Sequence, residues 1–326
     1  MLRAIFRGCV AVILGSACAS PVMSEETGDS EGATSTTTST TSTTTSSSGT
    51  TDAPTTSSTT SGTTSEVTET EGVVGNLLLS NKFLNIAHRG GGDLRPEETL
   101  PAFENALAVG AEVLEFDVHA SSDGVIVAMH DGTVDRTTDG TGAVKAMTFA
   151  ELRALDAGYR FTPDDGQTFP YRGTGIVIPT IEEILDAFPD SYYLIEIKQT
   201  DPPIVDGVLA ALEERGALER VVLASADLDT IVAVRAAMPA VFTSLSTPEM
   251  LDLYVNVGSP DYTPPAQFVH APWDLASAEL VAFAHELGMK VHPWTVNEES
   301  RMVDLIGRGV DGIMTDDPVL LESVSP

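Results

Sequence analysis

From residue 83 to residue 315 the chain alternates short β-rich apolar runs with amphipathic stretches of helical period, which restricts it to a largely parallel sheet covered by helices. The helical stretches are 99–109, 148–157, 180–187, 204–215, 227–237, 275–287 and 297–307. Strand-like runs fall at 83–88, 113–119, 125–130, 192–198, 220–225, 241–245, 267–271, 289–294 and 311–315. Nine strands are one too many for an eight-stranded barrel. The link between the second and third, which passes through Ser122-Asp123-Gly124, is too short for a parallel crossover. The run 125–130 is therefore expected to return as a hairpin arm, leaving eight parallel strands. The predicted fold is α/β, a TIM (β/α)8 barrel with a small hairpin insertion after strand 2, of the ~250 residues usual for that architecture.

Chemistry-bearing residues collect at strand ends. Ile86-Ala87-His88-Arg89 followed by Gly90-Gly91-Gly92 reads as a strand that presents an imidazole and a guanidinium at its C-terminal end, where α/β proteins place their sites. Val113–His119 alternates, so Glu115, Asp117 and His119 share one face and Leu114, Phe116 and Val118 the other. Two carboxylates side by side on a strand are costly without positive charge between them, and a divalent cation is the economical answer. A second histidine, His130, follows the run 125–129, and Glu196 and Lys198 share a face of an otherwise apolar strand. Two imidazoles, a carboxylate group suited to a cation, and an arginine suggest acid/base hydrolysis of an anionic ester.

The strings that carry these residues resemble the glycerophosphodiester phosphodiesterase family: AHRG at 87–90, PEETLPAF at 96–103, EFDVHASSDGVIVAMHD at 115–131, DRTTDGTG at 135–142, IPTIEEIL at 178–185, LIEIK at 194–198, HPWTVN at 292–297 and GVDGIMTDDP at 309–318. They are collinear and span nearly all of 84–322. The resemblance implies that Glu115, Asp117 and Glu196 hold a metal, that His88 and His130 are the acid/base pair, and that Arg89 and Lys198 contact phosphate. It also implies a substrate-facing Trp294. One position departs from it: the family commonly has Asn where this chain has Glu98, which adds a negative charge near the site. The implied reaction releases glycerol 3-phosphate and an alcohol from a glycerophosphodiester. Phospholipase D-like hydrolysis of lysophospholipids would use the same residues, while a non-catalytic tethered surface module would be expected to lose one of them.

The remaining polar residues read more plainly. His119 is a partner of the site or lines the barrel; His270 and His292 line the pocket or pack; His285 lies on a helix surface. Asp316 and Asp317 suit a cap before Pro318, Glu97 an orienting role toward Arg89 or the metal shell, and Arg136 a loop anchor.

The formal charge of −31 persists beyond the leader: without residues 1–72, which hold eight acids and two arginines, 40 acids face 15 bases, for −25. Such a surface repels nucleic acid, so the expected partner is a small phosphodiester, and no protein partner is implied. Both cysteines, Cys9 and Cys18, lie in the leader, which excludes thiolate metal ligation in the barrel and leaves an oxygen-rich site for Ca²⁺ or Mg²⁺. A His119 contribution would admit Mn²⁺ or Zn²⁺.

Residues 1–19 have the basic, apolar and small-residue regions of an export signal. Gly15-Ser16-Ala17-Cys18 resembles a bacterial lipoprotein box with Cys18 as lipid anchor, and cleavage after Ala19 is the plain alternative. Residues 20–75 form a Ser/Thr-rich linker expected to be disordered, with the barrel domain at 76–326. The expected location is the bacterial cell envelope, by lipid anchor, or the exterior by secretion.

Overall fold

The computed structural model describes residues 75–326. The leader, Cys18 and, apart from Gly75, the linker lie outside the described residues.

Nine strands appear in the expected order, most of them shorter than their apolar runs: β1 (Leu84–Ala87), β2 (Val113–Ala120), β3 (Ile126–Ala128), β4 (Tyr192–Ile197), β5 (Val221–Ala224), β6 (Phe242–Thr243), β7 (Phe268–Val269), β8 (Lys290–Val291) and β9 (Gly312–Thr315). All but β3 pair in parallel, and β3 runs antiparallel to β2, with Val118 opposite Ala128. The sheet order β6-β5-β4-β2-β1-β9 curls, and backbone hydrogen bonds carry it onward: Leu245 to Phe268 (3.0 Å) links β6 to β7, while Asp311 to Val291 and Met314 to Pro293 (both 3.0 Å) link β8 to β9. The architecture is TIM-barrel-like.

Helices α1 (Leu100–Ala108), α2 (Phe149–Arg153), α3 (Ile181–Ala187), α4 (Val205–Glu214), α5 (Leu228–Ala237), α6 (Thr247–Val255), α7 (Ala278–Glu286), α8 (Glu299–Gly307) and α9 (Pro318–Val324) accompany the strands. Local sequence starts several of them. Thr148 with Glu151, and Thr180 with Glu183, form reciprocal capping boxes that satisfy orphan N–H groups. Helices α6 and α9 were not among the helical stretches anticipated above, although Ser246 with Glu249 starts the first and Asp317 caps the second. None of the helices among the described residues is long and apolar enough to cross a membrane.

The strands bury two different faces. Leu114, Phe116, Val118, Tyr193, Ile195 and Ile197 pack outward beneath the helices. Leu84, Ile86, Val113, Leu194, Val222, Phe268 and Met314 pack together as an inner apolar layer. The period of two then decides what stands above that layer: His88 follows Ile86, Glu115 and Asp117 follow Val113, Glu196 follows Leu194, and Asp316 follows Met314.

Candidate active site

The first segment of the site is the turn after β1. His88 begins a short 3-10 turn in which Arg89 is left-handed (φ 53°), followed by Gly90 (φ 81°) and Gly91 (φ 87°). Gly90 is required twice over, because a Cβ there would lie 2.8 Å from Ala102 and 2.9 Å from the Phe103 ring of α1. The turn lets the Arg89 backbone N–H donate to Glu115 Oε2 at 2.6 Å, tying the end of β1 to the carboxylates of β2.

Glu115 and Asp117 are 3% and 1% exposed. Burial first, and then the Asp117 carboxylate, push Glu115 up to about 7. Burial would also raise Asp117, but neighbouring positive charge, led by Lys198, holds it below the ordinary carboxylate value. Register places Glu196 directly beside Asp117 on the neighbouring strand. The Lys198 ammonium lies between them, 3.1 Å from Asp117 Oδ1 and 2.9 Å from Glu196 Oε2. Among the described residues no group of three His, Cys, Asp or Glu side chains stands arranged around a metal.

The donor set nevertheless suits a hard cation. Both Asp117 carboxylate oxygens are buried and accept no hydrogen bond, and Arg89 Nε, 3.6 Å from Asp117 Oδ2, donates none. Oxygens that accept no hydrogen bond and are balanced only by ion pairs, beside two further carboxylates, suit an oxygen-ligated divalent ion.

Each histidine is held by a carboxylate at Nδ1. His88 Nδ1 lies 2.6 Å from Asp316 Oδ1, and Asp316 Oδ2 accepts from Asn297 Nδ2 at 2.7 Å. Burial disfavours the imidazolium, but Glu115 and Asp316 outweigh it and raise His88 above its ordinary value. His130 Nδ1 lies 2.8 Å from Asp131 Oδ1. Arg136 donates to Asp131 Oδ2 and to both oxygens of Glu97, each at 2.7 Å, and Glu97 accepts from Arg89 Nη1 at 3.2 Å. A continuous polar chain thus runs His130–Asp131–Arg136–Glu97–Arg89. In both histidines the second nitrogen, Nε2, is left for other chemistry.

His88, Arg89, Glu115, Asp117, His130, Glu196 and Lys198 therefore gather at the C-terminal ends of β1, β2 and β4 and after β3. Trp294 stands apart from these polar contacts: its indole N–H donates to the His270 carbonyl at 3.0 Å, and it packs against the inner apolar layer. His119 Nε2 lies 3.3 Å from the His130 carbonyl oxygen, which can only accept, so that nitrogen carries a proton. His270 and His292 stack on each other, with ring centroids 5.6 Å apart, as buried packing residues. His285 pairs with Asp311 at the surface.

Two residues gain roles that the sequence reading did not give them. Asp316, expected at a cap, holds His88, whereas its neighbour Asp317 does cap α9 by accepting from Leu320 N at 2.9 Å. The available signal was the period of two, which puts Asp316 on the inner face with Met314. Asp131, which had drawn no role, holds His130.

The chain as a whole is similar to known proteins. Residues 88–320 match the model of the glycerophosphoryl diester phosphodiesterase family. The glycerophosphodiester phosphodiesterase of Caldanaerobacter subterraneus subsp. tengcongensis is 35% identical over 249 residues, covering 74% of this chain and 96% of that protein. The Bacillus subtilis enzyme of the same name is 32% identical over 272 residues, covering 77% and 89%. The crystal structure of glycerophosphodiester phosphodiesterase from Agrobacterium tumefaciens aligns with a TM-score of 0.62 at 25% identity, over 73% of this chain and 97% of that one.

Proposed function

The chain belongs to the glycerophosphoryl diester phosphodiesterase family, and on that premise we propose that it hydrolyses glycerophosphodiesters to glycerol 3-phosphate and an alcohol, with a divalent cation, Ca²⁺ or Mg²⁺, held by Glu115, Asp117 and Glu196. The observation that carries this reading is the pair of imidazoles, each fixed at Nδ1 by its own carboxylate, beside a buried carboxylate cluster and two cationic side chains. When bound, the cation supplies Lewis-acid polarisation of the phosphoryl oxygens. Arg89 and Lys198 bind the phosphodiester anion and offset the charge that builds on its oxygens in the transition state. Of His88 and His130, one removes the proton of the nucleophile and the other protonates the departing alkoxide, each through Nε2. Asp316 and Asp131 keep the rings aimed, and Asp316 together with Glu115 stabilises the protonated form of His88. Trp294, half-buried at the inner layer, is assigned to the wall that the substrate meets.

Residues 1–19 are read as an export signal and 20–75 as a tether, so that the barrel domain, 76–326, works at the bacterial cell envelope through Cys18 or in secreted form. Its acidic surface suits a small, soluble substrate, since salt screens charges beyond ~8 Å.

The experiment is release of glycerol 3-phosphate from glycerophosphocholine and glycerophosphoethanolamine, first with EDTA and then with Ca²⁺ or Mg²⁺ restored. Metal-restored release supports the reading and names the working ion. Silence with every metal defeats it, and choline release from a lysophospholipid would then redirect the activity to longer substrates.

A further inference from the structure

Glu98 is buried, 3% exposed, and is held in the left-handed region (φ 60°), a conformation that costs a non-glycine residue energy. Two contacts fix it: its backbone N–H donates to the Arg89 carbonyl at 3.0 Å, and its carboxylate accepts from the Asp117 backbone N–H at 3.2 Å. The loop is therefore bent so that a fourth carboxyl group lies beside Asp117 and Glu115. Both Asp117 oxygens are buried and accept no hydrogen bond, with only the Lys198 ammonium at 3.1 Å and Arg89 Nε at 3.6 Å beside them, which leaves acceptor capacity for an ion. The charges do not balance internally. Arg89 and Lys198 are the cations in contact with these four carboxyl groups, while Glu97 is occupied by Arg136 as well as Arg89. With all four carboxyl groups ionised, as a bound cation would favour, they exceed these two cations by two charges, which one divalent ion matches.

We infer that Glu98 is a fourth carboxylate ligand of the divalent cation, giving this chain a site richer in charge and oxygen than Glu115, Asp117 and Glu196 alone provide. The inference rests on the cation site proposed above. Ca²⁺ takes six to eight oxygens, and its affinity follows the charge count and rigidity of the ligand set, so the additional carboxylate strengthens Ca²⁺ binding in particular. A purely structural Glu98 would accept the Asp117 N–H and hydrogen-bond the Asp117 carboxylate, and a glutamine amide can do both, its oxygen accepting and its NH2 donating.

The test is calorimetric titration of the full chain with Ca²⁺, comparing wild type, Glu115→Gln and Glu98→Gln, with melting temperatures of the metal-free proteins recorded alongside. Wild type should bind one ion at a site that Glu115→Gln removes, and Glu98→Gln should weaken that binding at least about tenfold. Its metal-free melting temperature should be unchanged or higher. Weakening of less than tenfold overturns the inference and leaves the three-carboxylate site standing. An absence of wild-type binding overturns both. If Glu98→Gln does not fold, Glu98→Asn, which keeps an amide acceptor on a shorter side chain, is judged by the same threshold.

Discussion

Asp316 Oδ1 lies 2.6 Å from His88 Nδ1, and the two residues are 228 positions apart in the chain. Asp316→Asn keeps the shape of the contact but removes its charge and its preference for an N–H at Nδ1. A ring that is no longer aimed costs on the order of 10² in rate, so kcat on glycerophosphocholine should fall by about that factor. His88→Ala should cost ~10² to 10⁴. Near wild-type turnover in Asp316→Asn would show that the contact does not position the histidine.

The chain Arg89–Glu97–Arg136 makes a second prediction. Glu97→Gln leaves both guanidinium groups charged but weakens the contact that points Arg89 toward the carboxylates. Charge-assisted hydrogen bonds contribute about 1.5–3 kcal/mol, so KM should rise about tenfold or more, with kcat changing less. A selective fall in kcat at constant KM would contradict a binding role for Arg89.

His292 titrates for a different reason. Burial lowers it from 6.5 to about 4, and stacked His270 is lowered in the same direction by burial. The unfolded chain therefore takes up protons that the folded chain refuses. The stability this contributes is present above pH 6.5 and is lost as the pH falls from 6.5 toward 4. At ~1.36 kcal/mol per pKa unit, His292 accounts for at most about 3 kcal/mol of that loss. Urea unfolding at several pH values should show this slope in wild type and a shallower one in His292→Leu. Equal slopes would assign the acid sensitivity elsewhere.

Gly90→Ala tests the turn that carries His88 and Arg89. The added Cβ meets Ala102 and Phe103 at 2.8–2.9 Å in a left-handed backbone. Overpacking of this kind costs about 1–3 kcal/mol, and the melting temperature should drop accordingly. Circular dichroism melts that match wild type would show that the turn relaxes without strain.

The strand order, the antiparallel return of the third strand and seven polar residues gathered at the site were legible in the residues alone. They were legible because each signal is local: period two separates Glu115 and Asp117 from Phe116, a run ends in His-Arg, and Ser122-Asp123-Gly124 is too short to cross over. Helix α6 was equally local but lay hidden behind a proline and a weak apolar stripe. Asp316 was half legible: period two puts it on the inner face with Met314, but Thr-Asp-Asp-Pro codes equally well for a cap, a role that Asp317 takes. Only the register of β1 on β9, with Leu84 opposite Gly312 and Ala87 opposite Thr315, delivers Asp316 to His88. Tertiary structure likewise decided that His270 and His292 pack on each other, and that Lys198 rests between Asp117 and Glu196. Sheet curvature brings strand ends from distant parts of the chain to one rim, and a contact set by curvature leaves no periodic trace in the residues on either side of it.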